Sequence, residues 1–188
     1  MATSSADFTH SLPAGSPAPS FSLPDVSTGL LRGPEDLAGP KGLLVVFLCA
    51  HCPYVIHILP KLIELSCEFF HQGVSSVGIS ANDPVAYPED APAKLRKMAE
   101  EMNLPFPVLF DATQEAARLY TAVCTPDFFL FDGLRHLVYR GRLDASSPRN
   151  GIAVTGEDLE RALEAVASGV PVAAPWPPAL GCSIKWRE

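Results

Sequence analysis

The stretch Leu43-Leu44-Val45-Val46-Phe47-Leu48 is a continuous apolar run of strand length that ends directly on Cys49-Ala50-His51-Cys52-Pro53. Beyond Pro53 the period changes: Val55, Ile56, Leu59, Leu62, Ile63, Phe69 and Phe70 recur at helical spacing up to Gly73. A strand without polar alternation is buried on both faces, so helices must cover both sides of its sheet. Pro53 suits a first helical turn, where its missing N–H is no loss, and Gly73 suits a helix stop. The junction therefore predicts a strand–turn–helix unit in a parallel or mixed sheet, with two cysteines at the turn.

The rest of the chain continues the alternation. Residues 74–79 read as a second strand. The Pro- and Asp-rich loop 82–92 opens a polar helix over 94–102. Residues 106–110 form a third strand and 113–120 a short helix with Thr113 as N-cap. Residues 128–131 form a fourth strand, and Asp132-Gly133 is a tight hairpin turn into its partner, 136–143. Thr155-Gly156-Glu157-Asp158 caps a last helix, 159–167, that Gly169 ends. The order β-α-β-α-β-α-β-β-α predicts an α/β three-layer sandwich whose closing hairpin makes the central sheet mixed. The chain of 188 residues divides into a flexible N-terminal arm (1–15), one domain (16–169) and a Pro-rich tail (170–188) packed on it.

Apolar residues make up 47% of the chain and charged ones 19%, enough for a sizeable core. The formal net charge of −7, without a basic cluster, argues against nucleic acid as a partner. No apolar run approaches the roughly 20 residues that span a bilayer, so no membrane partner is expected. The opening Met1-Ala2-Thr3-Ser4-Ser5-Ala6-Asp7 lacks the basic and apolar regions of a secretory signal, and a cytoplasmic location is expected. Five cysteines are too few, and odd in number, for a disulfide-stapled scaffold.

A cysteine at the start of a helix faces unpaired N–H groups and the positive end of the helix dipole, both of which favour thiolate. Two intervening residues let Cys49 and Cys52 meet and close a reversible disulfide. His51 between them is positioned to donate to a thiolate and make that disulfide more oxidising, or is simply an exposed turn residue. The competing reading is half a zinc site completed by Cys124, Cys182, His57 or His71. None of these forms a second spaced pair, which favours redox chemistry without metal or cofactor.

A second signal is Cys124-Thr125-Pro126-Asp127 leading into the apolar run at Phe128. A strand, a C-x-x-C, a helix and, far downstream, Thr-Pro before a strand together resemble the thioredoxin fold. Within it, Ser16-Pro17-Ala18-Pro19-Ser20-Phe21 at the start, the inserted helix and the hairpin resemble the AhpC/TSA and redoxin group. The run 49–55, Asn82-Asp83, 87–92 and Gly181-Cys182-Ser183-Ile184-Lys185-Trp186 are similar to a bacterial subgroup described as thioredoxin-family or thiol–disulfide isomerase-like. The resemblance implies a cis Pro126 against the dithiol and a Thr125 that offers backbone groups to a substrate. It also implies a thiol–disulfide oxidoreductase of redox homeostasis. Its partners would be a protein or small-molecule disulfide or thiol and an unidentified reductant. Cys49 would attack and Cys52 resolve.

Peroxiredoxins, antioxidant relatives in the same group, carry P-x-x-x-T-x-x-C at this turn. Cys52-Pro53 matches its end, but Cys49 stands at the Thr position and Val45 at the Pro. Their arginine before the later strand is absent, since Pro126 and Asp127 stand there, leaving Arg118, Arg140 or Arg142 to substitute. A peroxidase with Cys52 peroxidatic is thus the alternative, and a non-catalytic metal- or partner-binding module the alternative of another class. Cys67 is expected in the core, Cys124 near the dithiol as packing or a third redox group, and Cys182 as a tail thiol that either reaches the site or does not. Ile184 and Trp186 are expected to anchor the tail by burial, and loop 87–90 either to border the active site and help select partners or, as the preferred reading, to be solvated.

Overall fold

The computed structural model describes residues 11–187, so most of the expected arm lies outside the described residues. A short antiparallel hairpin, β1 (Leu23–Pro24) and β2 (Leu31–Arg32), and a one-turn helix, α1 (Pro34–Leu37), lead in. The central elements follow: β3 (Gly42–Phe47), α2 (Pro53–His71), β4 (Val74–Ser80), α3 (Pro92–Glu101), β5 (Val108–Phe110), α4 (Glu115–Leu119), β6 (Cys124–Thr125), β7 (Asp127–Asp132), β8 (Leu137–Gly141) and α5 (Glu157–Ser168). A final short strand, β9 (Cys182–Ser183), lies in the tail.

Five strands make one sheet in the order β5-β4-β3-β7-β8. β3 runs parallel to β4, and β4 to β5, while β7 is antiparallel to both β3 and β8. This is the expected mixed three-layer sandwich. Every residue of β3 is buried, and alternation divides them between two cores. Leu44, Val46 and Leu48 pack with Val55, Leu59 and Leu62 of α2 and Leu159 of α5. Leu43, Val45 and Phe47 pack with Ala116 and Ala117 of α4 and with Tyr120. Each such side chain contributes about 1.5–3 kcal/mol when removed from water. Because β3 is locked on both faces, the turn that follows it has a fixed origin.

Several local expectations are corrected. The buried stripe of α2 is Val55, Ile58, Leu59, Leu62, Leu65, Ser66 and Phe69. Ile56 and Phe70 are 56% and 61% exposed, because a position next to a buried one is turned by about 100° on a helix. Cys67 follows Ser66 onto that outer side and is exposed instead of buried. The hairpin between β7 and β8 is longer than an Asp-Gly turn. Asp132 Oδ1 accepts from Leu134 N (2.9 Å) and His136 N (2.8 Å), and Arg135 takes the left-handed conformation, φ 64°. The Asp132 carboxylate thus ends the strand and organises the loop beyond it. Thr113 is not the N-cap of α4. That place is taken by Gln114 at φ 64°, and Asp111 Oδ2 accepts from Ala117 N at 2.9 Å.

The tail returns to the C-terminal end of β3. β9 pairs antiparallel with β6, with Cys124 opposite Ser183 and Thr125 opposite Cys182. Ile184 is buried, and its N–H donates to Val123 O at 3.1 Å. Trp186 is 39% exposed and is held over the Arg118 guanidinium (4.6 Å) instead of being buried.

Candidate active site

The helix α2 begins at Pro53, so its N-cap is Cys52 and not Cys49. The N-cap side chain is the one that faces the unpaired N–H groups of the first turn. Both sulfurs are buried, each residue being 1% exposed. The two flanks of this dithiol are built differently.

The first flank comes from the loop after β4. Asp90, at the end of a single 3₁₀ turn (Pro88–Asp90), is fully buried. Its Oδ1 accepts from Ala50 N (2.9 Å) and His51 N (3.3 Å), and its Oδ2 from Asn82 Nδ2 (2.8 Å). His51 Nδ1 lies 2.6 Å from Asp90 Oδ2 and 4.0 Å from Cys49 Sγ, so its proton points to the carboxylate. Tyr87 stacks on the imidazole, ring centroids 5.6 Å apart. The loop expected to be solvated is therefore the anchor of the turn. Asp90 and Tyr87 are site residues that the sequence reading missed as such. The available signal was their place in the run 87–92 that carried the family resemblance.

The second flank comes from β6. The Thr125–Pro126 bond is cis. Thr125 Oγ1 lies 3.5 Å from Cys49 Sγ, and the Cys52 thiol donates to Thr125 O at 3.1 Å. Behind it, Asp127 is wholly buried and pairs with Arg140 (3.2 Å). Burial pushes the Asp127 carboxyl up to about 6 against the pull of that guanidinium. Cys182 packs on this side, against the cluster that contains both dithiol cysteines.

These surroundings split the two thiols. Cys52 is lowered to about 5, first by the hydrogen bond from Cys49 and then by the Thr125 hydroxyl, the Val55 N–H and the Cys182 thiol, against the cost of burial. Cys49 is raised far above the ordinary thiol, first because it holds the shared proton toward Cys52, then by burial and the Asp90 carboxylate. The Thr125 carbonyl opposes this split, since it favours a protonated Cys52. Several donors converge on the Cys52 sulfur against that one acceptor, and Cys52 is the more acidic group.

The other candidates fall outside this pair. Cys124 is buried, its thiol pushed well up by burial, and donates to Pro126 O at 3.5 Å. His57 bonds Ser146 (3.2 Å), and His71 closes α2. Arg118 lies over Trp186, Arg142 pairs with Asp158 (2.8 Å), and Arg140 is held by Asp127 and Thr121. Among the described residues, one group of three donors could hold a metal: Cys49, His51 and Asp90, with ligand atoms within 4.8 Å of one another. This is not the set expected from sequence. Tetrahedral zinc would still need a fourth ligand. A groove of about 320 Å³ opens beside Ala50 and His51, floored by Ile56, Leu59 and Met98 and rimmed by Lys94 and Glu89. The larger cleft, about 670 Å³ between Lys41, Asp132 and Val170, lies at the other end of β3.

The sheet order, the turn cysteines and the cis-proline loop are those of a thioredoxin-fold protein. The chain belongs to the AhpC/TSA family, whose sequence profile matches residues 14–140. An uncharacterised conserved protein from Geobacillus kaustophilus has the same structure over 95% of this chain and 94% of its own, with 46% identity and a TM-score of 0.92. A hypothetical protein from Sinorhizobium meliloti 1021 matches over 95% and 97%, with 39% identity and a TM-score of 0.91. The thiol-disulfide oxidoreductase ResA of Geobacillus kaustophilus (strain HTA426) is 28% identical over 158 residues, 81% of this chain and 77% of its own.

Proposed function

We propose that the protein is a thiol–disulfide oxidoreductase working through Cys49 and Cys52. The observation that carries this is the buried dithiol itself: two sulfurs at the one turn that starts α2, with Thr125 O 3.1 Å from Cys52 Sγ and Thr125 Oγ1 3.5 Å from Cys49 Sγ. In the half-reaction that reduces the substrate's disulfide, the Cys52 thiolate attacks one substrate sulfur. The substrate S–S bond breaks, its electron pair leaving on the other sulfur, and a mixed disulfide forms. Cys49 then gives its proton to the departing thiolate and attacks the Cys52 sulfur. Cys49–Cys52 closes and the second substrate sulfur leaves as a thiolate. The substrate gains two electrons and the enzyme loses them. This order reverses the roles that the thioredoxin resemblance implied, because the helix starts after Cys52.

Ionisation of Cys52 also sets a direction. At neutral pH a thiol with a raised pKa is protonated as an ordinary one is, so the raised Cys49 changes little. The lowered Cys52 stabilises the reduced form, which makes the disulfide more oxidising. The substrate is a disulfide or thiol presented in the groove beside His51. ResA, by its name, acts in thiol–disulfide exchange, and that supports the class of reaction.

The test is stoichiometric oxidation of fully reduced protein by oxidised glutathione or by hydrogen peroxide, followed by alkylation and mass mapping. Ready formation of Cys49–Cys52 with the disulfide, beside a peroxide rate like that of an unactivated thiol, is expected. Fast peroxide consumption with Cys52 oxidised first would make the protein a peroxidase instead. Stoichiometric zinc without disulfide turnover would make it a binding module on Cys49, His51 and Asp90.

A further inference from the structure

The short strand β9 pairs along β6, the strand that carries Thr125 beside the dithiol. Pairing places Cys182 opposite Thr125, the residue whose carbonyl is 3.1 Å from Cys52 Sγ and whose hydroxyl is 3.5 Å from Cys49 Sγ. The approach is close enough to require glycine before it. A Cβ on Gly181 would collide with the Thr125 carbonyl carbon and oxygen. Several bonds hold this placement. Lys185 N donates to Asn82 Oδ1 (2.9 Å), Asp83 N to Lys185 O (2.9 Å), Gln114 Nε2 to Lys185 O (2.9 Å) and Arg187 N to Gln114 Oε1 (2.9 Å). The segment carrying Cys182 is thus seated across the dithiol, in the manner of a bound peptide.

Exposure distinguishes the three sulfurs. Cys49 and Cys52 are closed off, whereas Cys182 is half-buried and reaches the surface. It packs against the core cluster that contains the other two, and it lies near enough for its thiol and the Cys52 sulfur to act on each other electrostatically.

We propose that Cys182 is a third redox cysteine, pairing with Cys52 and linking the buried dithiol to partners outside. This rests on the dithiol reading above. In the exchange step the Cys182 thiolate attacks Cys52 of the Cys49–Cys52 disulfide. The Cys49–Cys52 bond breaks, Cys52–Cys182 forms, and Cys49 takes the electron pair and the proton that Cys182 gave up. No net oxidation occurs, so no further reactant is needed. An external thiolate then attacks the accessible Cys182 sulfur, releasing Cys52 as its stable thiolate. Burial and the charge on Cys52 hold the Cys182 thiol up to about 11 while Cys52 is ionised, and that charge vanishes once Cys52 is in a disulfide.

The experiment treats reduced wild type, Cys49→Ser, Cys182→Ser and the double variant Cys49→Ser/Cys124→Ser with oxidised glutathione. Acid quenching, alkylation and peptide mapping then identify the disulfides. Cys49→Ser is expected to give an intrachain Cys52–Cys182 disulfide with both halves of glutathione released, and the double variant the same product. Wild type is expected to show both Cys49–Cys52 and Cys52–Cys182, and Cys182→Ser to lose the second and turn over more slowly. A Cys49→Ser protein that stops at the glutathione adduct of Cys52, with Cys182 alkylated, would overturn the proposal. So would a Cys182→Ser protein with unchanged turnover. If Cys182→Ser formed no Cys49–Cys52 disulfide, the dithiol reading would fail instead, while the Cys49→Ser result would still decide the role of Cys182.

Discussion

Cys49 and Cys52 are equally buried and share one turn, yet their two flanks are opposites. Cys49 faces a carboxylate: Asp90 accepts from the Ala50 and His51 N–H groups and lies against His51 Nδ1, and its charge is among the groups that raise the sulfur. Cys52 faces the Val55 N–H of the first turn of α2 and neighbouring thiols, while the Thr125 hydroxyl serves both sulfurs. The difference teaches that burial alone does not set a thiol's acidity. The groups around each sulfur do: the hydrogen bond from Cys49 is the largest pull on Cys52, and the Val55 N–H in the first turn of α2 adds a smaller one.

The largest effect expected of this asymmetry is in titration. Followed by thiolate ultraviolet absorbance, reduced protein should ionise one buried sulfur near pH 5 instead of 9.0, and Cys52→Ser should abolish that step. The sign for stability follows. Cys52 is lowered in the folded state, so its contribution to the reduced form is present above pH 9.0 and is lost as pH falls through about 5. Chemical denaturation of reduced and oxidised protein across that window would show it. If Cys49→Ser removed the low step and Cys52→Ser left it, the assignment of the two flanks would be inverted.

Next in size is the support behind the Cys52 flank. Asp127→Asn removes the carboxylate facing the buried Arg140 guanidinium and should cost about 3–5 kcal/mol in urea unfolding. Asp127 itself is raised, so its contribution is fully present below pH 3.8 and declines as pH rises through about 6. That slope should be absent in the variant.

On the other flank, Asp90→Ala strips the acceptor from two backbone N–H groups and should cost about 1–3 kcal/mol per buried donor left without a partner. It should also bring the Cys49 ionisation down, since the carboxylate is among the groups that raise it. An unmoved Cys49 titration would mean that the neighbouring sulfur and burial alone separate the pair. The smallest effect is Tyr87→Leu, which removes the ring stacked on His51 and should cost about 0.5–1.5 kcal/mol, with the two titrations intact.

The strand Gly42–Phe47, the turn cysteines and the helix from Pro53 were legible because each rests on neighbours in sequence: an unbroken apolar run, a proline at the helix start and a change of period. The same local logic failed on α2's outer face. Ile56, Phe70 and Cys67 are near enough to the apolar spacing to be counted with it, and only packing shows which stripe faces the sheet. Thr125-Pro126 was legible through its resemblance, while the start of the helix at Pro53, which makes Cys52 its N-cap, was not.

What the sequence determined by itself is the strand–dithiol–helix unit and the mixed α/β sandwich, since periodicity and turn chemistry act over a few residues; the family came from the resemblance of its motifs. What only the tertiary structure decided is the environment of the sulfurs. Asp90 reaches Ala50 across 40 residues, and Cys182 meets Thr125 only because the tail crosses back to pair along β6. A carboxylate or a thiol acts on another group through distance, and distance between remote segments is set by how the loops and tail pack, not by their spacing along the chain.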